Sequence, residues 1–271
     1  MTNADRYLEP HRKALVDAAA HARSVYPEES CGFIVNGRYV PALNRAGDPA
    51  SHRDKDRNCD CRLCAFRIAS EDYLAAADGL QMIVHSHPNG PDFPSQQDMA
   101  GQMETGVAWV ILTLDETRFG PITVWGGDCP IEPILGREFI HGINDCYSLV
   151  ADTFALGREK LAEQGIAWPF EPIKLMNKPR ADGWWLNDTD NNLYEDNIKA
   201  SGFVEISREE ARPGDAFLGR IRSDVLNHAG LLMPNNLIMH HLPGRLSRRE
   251  PSGIWHRSAV MWLRYQGVDH A

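Results

Sequence analysis

Ala14, Leu15, Ala18, Ala19, Ala22 and Val25 recur at helical spacing, and Pro27 ends that run. Two short strand-like stretches follow, residues 31–35 and 39–43, joined by Asn36-Gly37, a pair suited to a tight hairpin turn. Residues 44–58 are charged and rich in turn formers, which predicts a surface loop. Residues 70–78 read as a helix, and the apolar run 80–84 reads as a buried strand leading into His85. A further helix opens at Ser95, and residues 107–114 and 121–125 read as two more strands.

Gly126-Gly127-Asp128-Cys129-Pro130 and Pro133 then break the pattern, and a new helical period begins near Asp145. Residues 145–164 read as one helix, with Leu149, Val150, Phe154 and Leu161 among its apolar positions. Residues 167–192, rich in Trp, Pro and Asn, carry no clear period. After Arg212-Pro213-Gly214-Asp215, strand-like runs recur at 216–218, 229–233, 237–242 and 259–263. No internal repeat is visible.

The length of 271 residues suits two domains of ordinary size better than one. The composition, 43% hydrophobic and 24% charged, is that of a globular protein, and each half is long enough to bury its own core. A net charge of −9 argues against broad binding to nucleic acid or anionic membrane. The polar start, Met1 to Pro10, lacks the apolar core of a signal peptide, and no run approaches the ~20 apolar residues of a membrane-spanning helix. Synthesis and folding in a cytoplasm are therefore expected, with the six cysteines free or metal-bound rather than bridged.

The densest chemistry lies in His85-Ser86-His87-Pro88-Asn89-Gly90 followed by Ser95-Gln96-Gln97-Asp98. Residues i and i+2 of an extended chain point the same way, so His85 and His87 can face one metal ion. Asp98, in the first turn of the next helix, would add an oxygen ligand. Three protein ligands and one open position make a catalytic rather than a structural zinc site. Such a site needs a proton shuttle, and Glu29 is the leading carboxylate. Glu28 stands one residue away, and spacing does not choose between them. Ser95-x-x-Asp98 by itself is also a helix capping box.

With these residues the first half resembles the JAB/MPN metalloprotease family, whose motif is Glu, then His-x-His-Pro, then Ser-x-x-Asp. The resemblance covers roughly residues 10–128, and Glu29-Ser30-Cys31-Gly32-Phe33 looks like the bacterial form of its first element. It implies one zinc ion on His85, His87 and Asp98, with Glu29 as acid/base and Ser95 steadying the oxyanion. It also implies a mixed α/β fold around a curved sheet. Cys59, Cys61 and Cys64 add a C-x-C-x-x-C spacing, which suits a second zinc with a ligand such as His52. No second cysteine pair follows, and three reduced thiols in a loop is the plainer account.

In the second half, Asp145-Cys146 stands where the long helix begins, and a thiol there feels the positive end of the helix dipole. This predicts a lowered pKa and a thiolate nucleophile. His228 begins one apolar strand and His240 ends the next, across the turn Pro234-Asn235-Asn236, so a hairpin would bring the two imidazoles together. His241 should face the other way. Here the chain resembles the NlpC-type peptidases, papain-like enzymes that cut cell-wall peptides. Asp145-Cys146, Pro213-Gly214-Asp215 and His228-x-Gly230 carry the likeness over roughly 133–271. It implies Cys146 as nucleophile, His228 as base and His240 as orienting partner, with the Cys146 N–H serving the oxyanion. Tyr147-Ser148 stands where the family has Ser-Gly, which puts bond specificity in doubt.

Together the likenesses imply an α+β protein of two domains. Residues 1–128 would take the JAB/MPN-like mixed α/β fold and residues 129–271 the papain-like NlpC-type fold. That succession resembles the lambda tail protein K family of phage tail-tip assembly proteins. The resemblance implies a chain made in the host bacterial cytoplasm and used at the tail tip of the virion. Expected partners are peptidoglycan peptides and other tail-tip proteins. Two alternatives stand beside the peptidase reading: an assembly factor with vestigial sites, or a cytosolic isopeptidase acting on a ubiquitin-like carrier.

Overall fold

The structure, a computed structural model, describes residues 1–52, 59–186 and 192–267. It forms two compact units, residues 1–94 with 100–132, and residues 133 onward with 95–99. Of the loop expected over 44–58, residues 53–58 lie outside the described residues, as do 187–191 of the unassigned stretch.

The elements up to Glu132 are α1 (Asn3–Leu8), α2 (Arg12–Val25), β1 (Cys31–Val35), β2 (Arg38–Ala42), α3 (Ser70–Ala76), β3 (Leu80–Pro88), α4 (Gln96–Thr105), β4 (Ala108–Leu114) and β5 (Phe119–Trp125). Helix α1 was not anticipated from the sequence. It has no buried residue to give an apolar period, and starts instead on a capping box between Thr2 and Asp5. The β1–β2 hairpin turns at Asn36 and Gly37, both left-handed at φ 48° and 73°, as a two-residue hairpin turn requires. The sheet order is β2-β1-β3-β4-β5. Only the β3–β4 pair is parallel.

Helix α2 buries Ala14, Leu15, Ala18 and Ala22 against Ile34, Met82, Val84, Val110 and Leu112 on one face of this sheet. Because side chains alternate along a strand, Met82 and Val84 belong to that face while His85 and His87 emerge on the other. The ladder of β3 runs further than the apolar pattern indicated. His85 pairs with Ile111 and His87 with Thr113, so both imidazoles stand on regular strand positions.

The second unit holds α5 (Cys146–Glu163), β6 (Phe203–Ile206), β7 (Ala216–Gly219), β8 (His228–Met233), β9 (Leu237–His240), β10 (Arg248–Pro251) and β11 (Ala259–Tyr265). Its sheet, in the order β10-β9-β8-β7-β11-β6, is antiparallel throughout. The single helix expected over 145–164 is broken at Gly157, whose φ of 66° and ψ of −176° are not helical. The neighbouring chain fills the break. Arg158 N donates to Phe170 O and Ile173 N to Phe154 O, both at 2.8 Å. A Cβ at Gly157 would lie 2.4 Å from the nitrogen of Pro172, so only glycine admits that crossing. Strands β6 and β10 were also missed, each being only four residues long, and β10 polar as well. Among the described residues no helix is long and apolar enough to cross a membrane.

Candidate active sites

Strand β3 delivers His85 and His87 to one spot, their Nε2 atoms 3.1 Å apart. His87 Nδ1 lies 2.8 Å from Pro91 O, a carbonyl that only accepts. That tautomer puts the proton on Nδ1 and leaves Nε2 as a lone pair aimed at His85. Asp98 completes the group, one donor atom from each of the three residues lying within 4.8 Å of the others, and all three are buried. The Phe66 ring stacks on His85 with centroids 4.6 Å apart, and Trp109 meets it edge-on. Two imidazoles and a carboxylate converging in a buried place suit a divalent cation, whose charge offsets the cost of burying the carboxylate.

The first turn of α4 fixes Asp98. Its Oδ2 accepts from Ser95 N at 2.7 Å, and Ser95 Oγ accepts from Asp98 N at 3.1 Å. Ser95-x-x-Asp98 is therefore a capping box in fact, and the same device orients the carboxylate. Gly101 lets α4 sit close to the sheet, since a Cβ there would come within 2.6 Å of the Trp109 ring.

Geometry separates the two glutamates that spacing could not. Glu28 is engaged by Arg62, whose Nε lies 2.8 Å from its carboxylate. Glu29 is buried, and its N–H donates to Arg62 O at 2.7 Å. Cys31 pairs with His85 across the antiparallel β1–β3 ladder, and Ser86 N donates to Ser30 O at 3.0 Å. Continuing that register by two residues sets Glu29 opposite His87, on the face that carries both imidazoles.

In the second unit, His228 Nε2 lies 3.1 Å from His240 Nδ1, and both rings are almost wholly buried. The β8–β9 register pairs Gly230 with His240. A Cβ at Gly230 would stand 2.6 Å from the Phe217 ring, which explains the glycine of His228-x-Gly230. Glu250, on β10, extends the row, its Oε2 3.4 Å from His240 Nε2. No aligned hydrogen bond forms there, so this is an electrostatic approach. Glu250 is itself held by Trp255 Nε1 at 3.0 Å and Arg248 Nε at 2.6 Å. His241 belongs elsewhere, its Nε2 bonded to Arg245 O and its ring against Phe139.

Cys146 opens α5 as expected, yet its thiol is not an activated thiolate. Burial and the adjacent Asp145 carboxylate push its pKa up, outweighing the lowering effect of Tyr194 and the Ala229 N–H. Burial likewise takes His228 down to about 3, helped by His240 and His241. The resting pair is thus neutral thiol and neutral imidazole. The helix dipole that predicted the opposite sign is overridden by desolvation and by a like charge one residue away. Cys146 Sγ lies 3.3 Å from Tyr194 Oη and 3.9 Å from Asn227 O, so the thiol rests against the backbone beside His228.

Asp145 caps α5 rather than reacting. It accepts from Ser148 N and Gly142 N, and Arg180 grips it with two bonds of 2.8 Å. Burial opposes its charge, but Arg180 and these N–H groups hold its pKa down to about 2. Arg180 also lies over the Tyr147 ring at 4.6 Å, and Tyr147 Oη donates to Met176 O at 2.7 Å. The bulky residue after the cysteine therefore has a packing role.

A family model described as prokaryotic homologues of the JAB domain matches residues 11–125. Tail tip assembly protein K of Escherichia phage N15 is 31% identical over 266 residues, covering 95% of this chain and 96% of that protein. The chain belongs to the tail tip assembly protein K family. The protein of that name from Escherichia phage lambda is 32% identical over 188 residues, 68% of this chain and 81% of its own. A solution structure of a protein from Salinibacter ruber matches 42% of this chain and 78% of its own, at 22% identity and a TM-score of 0.25. Within the protein K family frame, Tyr194, Arg180 and Glu250 are the neighbours that sequence reasoning missed. Tyr194 and Arg180 come from or border an irregular stretch with no period to place them. Glu250 sits in Arg248-Arg249-Glu250-Pro251, too polar to read as a strand.

Proposed function

We propose that this chain is a phage tail-tip peptidase whose Cys146, His228 and His240 hydrolyse peptide bonds of peptidoglycan during tail assembly or cell entry. The observation that carries this reading is the 3.1 Å contact between His228 Nε2 and His240 Nδ1, with the Cys146 sulfur 3.9 Å from the carbonyl of Asn227, the residue before His228. The nearby Glu250 carboxylate favours one proton order. With its proton on Nε2, His240 accepts at Nδ1 from His228 Nε2–H, and His228 Nδ1 is left as a lone pair. That nitrogen takes the thiol proton as sulfur attacks the scissile carbonyl, and returns it to the leaving amine. The Cys146 N–H, at the first helical position, has no intrahelical partner and serves the developing oxyanion.

A second peptidase site is proposed at His85, His87 and Asp98, with Glu29 moving the proton and Ser95 steadying the oxyanion. These three residues would hold zinc, which when bound polarises a carbonyl and acidifies a water. Glu29, opposite His87, is placed to take that proton and deliver it to the leaving nitrogen. The partners proposed are wall peptides and other tail-tip proteins, and the site of action is the tail tip of the virion, after folding in the host cytoplasm. The division of labour follows residues 1–128 and 129–271.

Two observations favour a second reading, an assembly factor with silent sites: Tyr194 covers the thiol, and both relatives are named for assembly. Mass spectrometry of purified peptidoglycan after incubation with wild type and Cys146→Ala separates the two. New stem-peptide fragments made by wild type and lost in Cys146→Ala are expected. Identical fragments from both proteins would remove the thiol from the chemistry.

A further inference from the structure

Between Asn44 and Cys64 the chain holds just one Leu, Ile, Val, Met or aromatic residue, Leu63. Among the described residues of that segment Ala46 and Cys61 alone are buried, so apolar packing does little to hold it. Four donor atoms do converge. His52 Nδ1 lies 3.6, 3.4 and 3.9 Å from the sulfurs of Cys59, Cys61 and Cys64. Cys61 Sγ lies 3.4 Å from Cys59 Sγ and 3.5 Å from Cys64 Sγ. All four atoms fall within 4.8 Å of one another. A tetrahedron with Zn–S of about 2.3 Å and Zn–N of about 2.0 Å has S···S edges near ~3.8 Å and N···S edges near ~3.5 Å. The observed edges are those of a cage that needs a few tenths of an ångström of adjustment to close on an ion.

We propose that His52, Cys59, Cys61 and Cys64 bind a second zinc ion in a closed, structural Cys3His site, separate from His85, His87 and Asp98. Three thiolates select zinc over magnesium or calcium, and a full set of four protein ligands leaves no position for substrate. Each cysteine gives up its proton on binding, and His52 binds as neutral imidazole through Nδ1. The ion takes the place of the missing core. It ties down a loop that reaches Glu29: Gly47 and Cys61 form a bridge, and Arg62 N donates to Gly47 O at 3.0 Å. Arg62 O receives the Glu29 N–H, while Asn44 Nδ2 donates to both Glu29 O and Ala65 O at 3.0 Å. The backbone of Glu29 is thus held on both sides by the loop the ion would close.

The test uses the full chain, purified under reducing conditions, with metal content measured by mass spectrometry and the cobalt-substituted protein examined by absorption. Two zinc ions per chain are expected in wild type, one in His85→Ala and one in Cys61→Ser/Cys64→Ser. The cobalt protein should show a sulfur-to-cobalt charge-transfer band that His85→Ala keeps and the double variant loses. Should removing buried Cys61 prevent folding, Cys64→Ser, at an exposed position, must still weaken the band. A wild type whose only zinc is the one lost in His85→Ala, or a cobalt form without the band, would overturn the proposal.

Discussion

Each half of the molecule brings two histidine nitrogens to 3.1 Å, yet the two contacts carry different chemistry. At His85 and His87 the far nitrogen of His87 is committed to a carbonyl, which leaves a lone pair facing its neighbour with a carboxylate alongside. That is a place for a cation. At His228 and His240 the far nitrogen of His240 faces the Glu250 carboxylate, which favours a proton there and would leave its near nitrogen to accept from His228. Distance is the same in both. The group behind the second ring, a carbonyl in one pair and a carboxylate in the other, suits the first to a cation and the second to the proposed proton relay.

The helix starts beside the two pairs repeat the lesson in mirror order. Ser95-x-x-Asp98 puts its carboxylate at the third helical position, in reach of two imidazoles. Asp145-x-x-Ser148 puts it at the cap, where Arg180 consumes both oxygens. The same residue type is thus a candidate ligand at one helix start and a structural tie at the other.

The sharpest way to break this contrast is to neutralise each carboxylate. Asp145→Ala leaves Arg180 buried without its partner and should cost about 3–5 kcal/mol of stability, read by denaturant melts. Asp98→Asn should cost far less stability while emptying the His85 metal site. Equal destabilisation by both would erase the distinction.

Acid should strike the second unit through two groups of opposite type. Asp145 is held at about 2, below its ordinary 3.8, so its contribution is complete above about pH 4 and drains as pH falls toward 2. His228 is held at about 3, below its ordinary 6.5, so burial favours its neutral form. Its contribution is complete above pH 6.5 and is lost as pH falls toward 3. Thermal midpoints should therefore decline from pH 6.5 downward, and His228→Gln should flatten the upper part of that decline.

A smaller effect concerns access. Tyr194→Ala uncovers the Cys146 thiol and should raise its alkylation rate several-fold at pH 8, whereas an unchanged rate would mean that Tyr194 is no cover. The smallest expected change is Ser95→Ala, which removes one cap bond at a cost of about 1 kcal/mol. It should loosen Asp98 more than it unfolds the chain, and metal affinity is the measurement that tells the two apart.

Much of the chain up to Glu132 was legible because its signals are local. The Asn36-Gly37 turn, the apolar run into His85 and the Ser95 cap each state their structure within a few residues. Glu29 opposite His87 was not decidable from spacing, since it depends on the register between two strands far apart in sequence. The second unit was read less well for the same reason. The break at Gly157 depends on Phe170 and Pro172, and the state of Cys146 depends on burial, Tyr194 and a helix cap locked by Arg180. A helix start predicts an activated thiol only when nothing nearby opposes the dipole.

One crossed inhibition experiment tests whether the two proposed sites act independently through different chemistry. Wall-peptide cleavage by the wild-type protein is followed after zinc chelation, after thiol alkylation, and in His85→Ala and Cys146→Ala. Cleavage that survives chelation and His85→Ala but disappears with alkylation and Cys146→Ala is the predicted result. Cleavage that follows His85 and the metal instead, or no cleavage under any condition, would contradict it.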